Sequence, residues 1–315
     1  MPPWSARTTL CVDEAMAHLE IENIPSLRKP VLIAAFAGWN DAGQAATAAL
    51  RFLGEHWEAV RFAGIEPEEF FDFTSARPLI RLGPGLEREL EWPANVFFYD
   101  VEPDLSRDAI LLLGTEPHLK WLTFTDTVLH LARQCGVELV ITMGAFMGDA
   151  VHSRPVPLIG FANRPELSGR LVELGVSPSR YEGPTGIVGA LHDACRRQGM
   201  ASASLWAAAP HYLASTTNPK AAAALLQCLN DFLELRVDLG EMKRLAARFE
   251  AQVEEALAAN PELAAYLQQL EQRLDTAGEP EPRTLADGPE LPPGEAVVEE
   301  LEKFLREKRE EGEGG

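Results

Sequence analysis

An apolar run from Val31 to Ala37 leads through the turn Gly38 to Gly43 into a long alanine-rich segment. Seven consecutive residues without a charge predict a strand that is covered on both faces, and the alanine-rich segment predicts a helix. A buried strand that turns directly into a helix is the repeating unit of α/β folds. The amino end of such a helix leaves N–H groups unpaired and carries partial positive charge, so the turn is also suited to anions and polar ligands.

The same rhythm returns later in the chain. Uncharged runs predict buried strands at Ala109–Leu113, Val137–Met143 and Ser202–Ala208, each followed by a segment with helical periodicity. Between the first helix and these strands, alternation of apolar and polar residues predicts strands with one solvated face. These are Ala59–Ala63, Glu69–Phe73, Leu79–Leu82, Leu86–Trp92 and Val96–Tyr99. The fold class predicted from this pattern is α/β.

The positions of glycine and proline and the local composition divide the chain into five parts. Residues 1–24 are predicted to be a flexible N-terminal arm, and residues 25–240 the α/β core domain. Apolar residues at spacings of three and four predict a helical hairpin over 241–275, broken at Asn260-Pro261. Residues 276–295 are rich in glycine and proline and predict a linker. Residues 296–315 predict a short amphipathic helix and a disordered acidic tail, and the helix could dock on the core or on a partner.

Charge and cysteine usage narrow the classes of partner. With 48 acidic against 28 basic residues the net charge is −20, so we expect neither nucleic acid nor membrane as a partner. The four cysteines form no CxxC pair, and no leader or apolar membrane span is recognisable, which predicts a cytoplasmic protein.

No G-x-S-x-G, H-E-x-x-H, Walker or G-x-G-x-x-G signature occurs. We therefore expect no metal and no cofactor.

Polar residues nevertheless follow several predicted strands. Asp41 could orient a ligand or act as a base, but with Gln44 three residues later it is equally a capping box. The segment after the strand Val137–Met143 is predicted to be a long loop, in which Asp149, His152, Ser153 and Arg154 form a plausible acid/base and anion-binding set. His152 could instead complete a local hydrogen-bond network.

Further candidates belong to the same predicted edge of the sheet. Asn40, Thr185, Gly186 and His211 are candidate ligand residues, although Thr185 is also a good helix N-cap. Trp39 is a bulky aromatic residue at the turn whose side chain must be covered by another surface, which predicts an interface. Tyr181, Trp206 and Tyr212 are the other interface candidates. Because carboxyl ends of parallel strands meet at one edge, we expect these segments to converge there.

Five short motifs occur in an order that resembles a known family. They are Gly38-Trp39-Asn40-Asp41-Ala42-Gly43, Phe71-Asp72-Phe73-Thr74 with Arg77-Pro78, Ser153-Arg154-Pro155-Val156-Pro157, Tyr181-Glu182-Gly183-Pro184-Thr185-Gly186, and Ser204-Leu205-Trp206 with Pro210-His211-Tyr212. Over about residues 20–275 the chain resembles the proteasome assembly chaperone family of the PAC2 type, in its actinobacterial form. The resemblance implies a three-layer α/β/α sandwich of the phosphorylase/hydrolase-like kind. It also implies a homo-oligomer, possibly a trimer, and proteasome-related or other protein partners.

Two functions remain open at this point. The first is an assembly-chaperone-like or scaffolding protein that acts through protein contacts and catalyses no reaction. The alternative is a hydrolase or phosphorylase, or an anion-binding protein, with its site at the strand carboxyl ends. In that case Arg154 would hold an anion and His152 or Asp41 would move a proton.

Overall fold

The computed structural model describes residues 17–83, 85–101, 107–148, 150–213, 216–259 and 261–277. A mixed sheet with helices on both faces forms a three-layer α/β/α fold, which confirms the predicted fold class. The strands are β1 (Leu19–Ile21), β2 (Val31–Ala37), β3 (Val60–Ile65), β4 (Leu79–Leu82), β5 (Arg88–Glu91), β6 (Asn95–Asp100), β7 (Ala109–Thr115), β8 (Leu139–Gly148), β9 (Leu158–Ala162), β10 (Ser177–Pro178) and β11 (Ala201–Pro210). The helices are α1 (Ala45–His56), α2 (Trp121–Gln134), α3 (Pro165–Glu173), α4 (Ile187–Arg197), α5 (Pro219–Leu233), α6 (Gly240–Ala259) and α7 (Pro261–Ala277).

The main sheet has the strand order β1-β3-β6-β7-β2-β8-β11-β9-β10. Its centre, β7-β2-β8-β11, is parallel, so four turns lie at one carboxyl edge. Strands β8 and β11 pair along ten residues, whereas β2 pairs with β8 only from Val31 to Ala35. The carboxyl halves of β8 and β11 therefore project beyond their neighbours as a ledge.

Each face of the sheet has its own hydrophobic core. One face packs against α1, α3 and α5, and the other against α2 and α4. Cys228 is buried in the first core, and Cys135 and Cys195 in the second. Burial raises the pKa of Cys228 and Cys135 to about 11 and that of Cys195 to about 12, so all three stay protonated thiols at neutral pH.

The structure departs from the predicted elements in four places. Leu19–Ile21, inside the predicted N-terminal arm, is a strand that pairs with β3. The segment Glu69–Phe73 is not a strand, because it turns to bury Phe70 and Phe71. The segment predicted as a loop after Met143 continues β8 to Gly148 and contains β9. The possible capping box of Asp41 and Gln44 would place the helix start directly after Asp41, but the first helix begins at Ala45, after a 3-10 turn at Ala42–Gln44.

Two appendages leave the sandwich. Strands β4 and β5 form a separate two-stranded sheet, called here the β-hairpin. Helices α6 and α7, called here the helical hairpin, follow α5. The predicted linker beyond residue 277 and the final helix lie outside the described residues, as do residues 1–16. No described helix is both long and apolar enough to span a membrane.

Candidate functional site

The predicted site residues follow β2, β8 and β11 and precede α4, and the structure divides them into two clusters. One lies at the ends of β2 and β7 and at the amino end of α4. The other lies on the ledge of β8 and β11, beneath the helical hairpin. The segments come to one edge of the sheet, but the candidate catalytic groups do not form one constellation.

Asp41 caps helix α1 from within the first cluster. Its side chain is buried, and Oδ1 accepts a 2.7 Å hydrogen bond from the backbone N–H of Ala46. Thr47 donates to the carboxylate from its backbone N–H and, in a short hydrogen bond, from its hydroxyl. These groups satisfy the first turn of the helix, as a cap does, but the predicted capping box with Gln44 is not formed, because Gln44 adopts a left-handed conformation at the N-cap.

The charge state of Asp41 predicts a pH effect on stability. Burial raises the pKa of this carboxyl, against the opposing effect of its hydrogen bonds to Thr47 and Ala46. The folded chain therefore holds the proton more tightly than the unfolded chain, so this contribution to stability is fully present below the ordinary pKa of 3.8 and is lost as pH rises through the raised value. We expect the free energy of unfolding of Asp41→Asn minus that of wild type to increase as pH rises above 3.8 toward 7, because only the wild type loses this contribution. Urea denaturation at each pH measures this difference, and a difference that does not change with pH would contradict the prediction.

Glu116, which follows β7, organises the rest of the first cluster. Its Oε1 accepts hydrogen bonds from Asn40 Nδ2 at 2.6 Å and from the backbone N–H of Ile187 at 2.8 Å. A side-chain carboxylate from another strand thus occupies the amino end of α4, where an anionic ligand was predicted. Gly186 is the buried N-cap, whereas Thr185, the predicted alternative cap, is exposed and precedes it.

His152 lies in the second cluster and is held from both sides. Its Nδ1 lies 2.9 Å from the hydroxyl of Tyr212, and its backbone N–H donates to the same hydroxyl at 2.9 Å. Its Nε2 lies 3.1 Å from Glu254 Oε1 of α6. Both ring nitrogens therefore have partners within the chain, which is the arrangement of a structural histidine.

The neighbouring residues bind the second helix of the helical hairpin. Ser153 donates a 2.6 Å hydrogen bond to Glu271, and Arg154 forms a 2.9 Å ion pair with Asp275. Lys220 of α5 donates to the carbonyl of His152 and to the carboxylate of Glu250 in α6. Arg154 thus binds a carboxylate of its own chain rather than a free anion. Asp149, the remaining member of the predicted set, lies outside the described residues.

An apolar cluster seals the same contact. The helical hairpin packs its inward face on the loop after β8 and on the turn after β11. The cluster consists of Val151, Tyr212, Leu213, Phe249, Val253, Ala256, Leu257, Leu267 and Leu270. Tyr212 is fully buried here and cannot be the surface interface residue that was predicted, because the helical hairpin already covers it.

The other aromatic candidates differ in exposure. Trp39 is 41% exposed, as an interface residue would be. The ring of Trp206 is partly buried against Gly144 of the neighbouring strand, where a Cβ would lie 2.6 Å from the ring, so this tryptophan packs chiefly within the fold. Tyr181 is partly buried and donates to the carbonyl of Pro184 at 2.9 Å. His211 is partly buried and packs edge-on against Tyr212.

Little room remains for a ligand where the helical hairpin meets the ledge. The cavity there has space for about one water molecule, and its lining includes His152, Lys220, Asn218 and Phe249. No group of three or more histidine, cysteine, aspartate or glutamate side chains within the described residues could hold a metal ion.

Sequence reasoning missed Glu116 and Lys220. Glu116 comes directly after the buried strand β7, just as Asn40 comes shortly after β2. Its position at a strand carboxyl end was therefore a usable signal. Lys220 lies in the first turn of α5, and nothing local distinguishes it from a solvated lysine. Its role appears only when α6 supplies Glu250.

Comparisons with known proteins agree on one family. The PAC2 family model matches residues 35–257. The chain is similar to a PAC2 family protein of Streptomyces avermitilis, with 40% identity, a TM-score of 0.67, and coverage of 72% of this chain and 95% of that one. It is similar to a Mycobacterium tuberculosis proteasome-assembly chaperone homologue, with 39% identity, a TM-score of 0.68, and coverage of 75% and 99%. An archaeal proteasome activator of Pyrococcus furiosus shares the fold at 20% identity, with a TM-score of 0.61 and coverage of 75% and 97%. A comparison with curated proteins gave no match.

Proposed function

The chain belongs to the PAC2 family, and from this premise we propose that it acts through protein contacts as an assembly-chaperone-like or scaffolding protein. Its proposed partners are proteasome subunits, the partner class that the names of its mycobacterial and archaeal relatives indicate. We also propose that it self-associates. The buried, unpaired thiols fit a reducing compartment, so we place this activity in the cytoplasm.

One observation carries the choice against catalysis: the groups that would have formed an active site bind the chain itself. His152 contacts Tyr212 and Glu254, and Arg154 contacts Asp275. Asp41 caps α1. A general base or an anion-binding arginine must be able to reach a substrate, and these side chains are occupied by structural partners. At the carboxyl edge of the sheet Trp39 remains exposed, and tryptophan is enriched at the centres of protein interfaces.

A binding titration tests the proposal. The full chain is titrated against purified actinobacterial proteasome α-subunits and against the assembled core particle, with biolayer interferometry as the measurement. We expect binding with a Kd in the micromolar range or below, and we expect Trp39→Ala to weaken it at least about tenfold, as loss of a buried aromatic anchor does. Val172→Ala is the matched control, because Val172 is also exposed but lies on α3.

The alternative enzyme or anion-binding function predicts a different result. A metabolite screen by thermal denaturation would then find a small anion that raises the Tm of the wild-type chain. Such a ligand, combined with no binding to either proteasome preparation, would overturn the proposal.

A further inference from the structure

The β-hairpin carries more of the exposed large apolar side chains than any other described element: Leu79, Ile80, Leu82 and Leu90. Both of its strands are exposed along their whole length. Ile80, Leu82, Leu90 and Trp92 are between 44% and 64% exposed. Isolated exposed apolar residues are ordinary, but a contiguous group on one element marks an interaction surface.

Ile80, Leu82 and Leu90 share one face of the β-hairpin, and Leu79 is the one apolar strand residue on the other face. The register pairs Ile80 with Leu90 and Leu82 with Arg88, so these four side chains lie on the same side of the ribbon. Leu79, Arg81, Glu89 and Glu91 lie on the other side, where Arg81 and Glu91 form a 2.7 Å ion pair. This alternation is typical of a ribbon that buries one face.

A two-stranded sheet is marginal in water unless its apolar face is covered. The described part of the chain does not cover it, apart from an edge-to-face contact of Phe73 with Trp92 at the foot of the hairpin. We therefore expect another protein surface to cover the apolar face of the β-hairpin and so to stabilise it.

The chain carries a second apolar surface at the ends of β2 and β7. Trp39, Leu119 and Leu122 are between 41% and 48% exposed. The turns that carry Trp39 and Leu119 are adjacent, since the backbone N–H of Glu116 donates to the carbonyl of Ala37 at 2.9 Å. The segment that leads to the β-hairpin starts beside this surface, because the carbonyl of Phe70 accepts hydrogen bonds from the N–H groups of His118 and Leu119.

The two surfaces are complementary in charge. Arg88 is the only charged residue on the apolar face of the β-hairpin and has no ion pair with any described residue. The surface at β2 and β7 contains the partly exposed carboxylate of Glu116, whose Oε2 receives no hydrogen bond from the described chain. An apolar face with a cation matches an apolar surface with a carboxylate.

We propose that a second copy of this chain covers the β-hairpin: Ile80, Leu82, Leu90 and Trp92 of one copy pack on Trp39, Leu119 and Leu122 of the other, and Arg88 faces Glu116. The inference rests on the self-association in the proposed function and names its surface. Because the segment that leads to the hairpin starts beside the second surface, two copies can exchange hairpins reciprocally, which uses both surfaces of each chain.

The test is the mass of the full chain by light scattering and sedimentation from about 1 to 100 µM. We expect wild type to be oligomeric and Leu90→Asp to raise the dissociation constant about tenfold per contact, or about 100-fold when the contact occurs twice. Leu122→Asp should act in the same way from the other surface, at a helix position that tolerates aspartate. Leu79→Asp, on the opposite face of the same strand pair, should leave the mass unchanged.

Four outcomes would overturn the assignment. The first is a wild-type chain that stays monomeric throughout the range. The second is an oligomer that survives Leu90→Asp. The third is dissociation by Leu79→Asp as strong as that by Leu90→Asp, which would indicate loss of the hairpin fold. The fourth is a monomeric wild-type chain whose residues 79–91 exchange hydrogen faster when residues 1–16 are deleted. That result would mean that residues 1–16, and not a second copy, cover the apolar face of the β-hairpin. Trp39 belongs to both proposed contacts, so self-association and binding of proteasome subunits compete for it. Titration of monomeric Leu90→Asp on proteasome subunits separates the two, since self-association can fail while binding persists or strengthens.

Discussion

Replacing Val253 by aspartate should release the helical hairpin from the core while the α/β sandwich stays folded. Val253 is fully buried in the apolar cluster between the helical hairpin and the ledge. An unpaired carboxylate there must remain solvated, and Glu250 and Glu254 nearby on α6 add repulsion. Expelling the distal half of α6 together with α7 is the least costly way to hydrate it. We expect the free energy of local opening to fall by about 3–5 kcal/mol.

Hydrogen exchange and limited proteolysis measure this release. Exchange of amides between Phe249 and Ala277 should accelerate about 100-fold or more, while amides of β2 and β8 keep their protection. Ala251→Asp is the matched control, because it adds the same charge to an exposed position of the same helix. If Val253→Asp left the exchange of this region as slow as the control does, the contact would not be what holds the helical hairpin.

Replacing Gly186 by alanine should lower the stability of the whole sandwich. A Cβ at this buried position would overlap Asn40 Oδ1 and come within 2.5 Å of Glu116 Oε1. Glu116 would have to leave the N–H of Ile187, so the amino end of α4 would lose its acceptor as well as its packing. We expect a loss of about 2–4 kcal/mol in the free energy of unfolding.

Urea denaturation measures the loss. Gly169→Ala is the control: Gly169 is exposed in α3, and an added Cβ would meet no atom within 4 Å. Alanine is the better helix former, so this variant should gain about 0.5–1 kcal/mol. A Gly186→Ala protein as stable as wild type would mean that Asn40 and Glu116 can move aside, and that the position does not depend on glycine.

The sandwich was predictable where one local rule acts alone. The uncharged run Val31–Ala37 is strand β2 with those bounds. Asn218 followed by Pro219 is a typical helix start, and Asn218 does cap α5: its Oδ1 accepts from the N–H of Ala221 at 3.0 Å. At β8 the strand was predicted, but its end was placed at Met143, because Gly144 and Gly148 are typical of a loop, whereas the strand continues to Gly148. Gly144 is a glycine because the ring of Trp206 lies on it from the next strand, a requirement that is not visible locally.

The candidate site was predictable in position but not in role. The turns at Asn40, at His152 and at His211 belong to strands whose order follows from the α/β pattern, so their common edge could be inferred. What each side chain does there depends on partners far along the chain. Glu254 is 102 residues from His152, and Glu116 is 71 from Ile187. Such pairings carry no periodicity, so a sequence pattern cannot distinguish a catalytic histidine from one that holds a helix.

The buried cysteines give the fold a built-in kinetic probe. A thiol with its pKa near 11 or 12 reacts with alkylating reagents only after its surroundings open, because the thiolate is the nucleophile. Cys228 lies in one helical layer, and Cys135 and Cys195 lie in the other. With Cys11 replaced by serine, the labelling rates of these residues would time the opening of the two sides of the sheet separately.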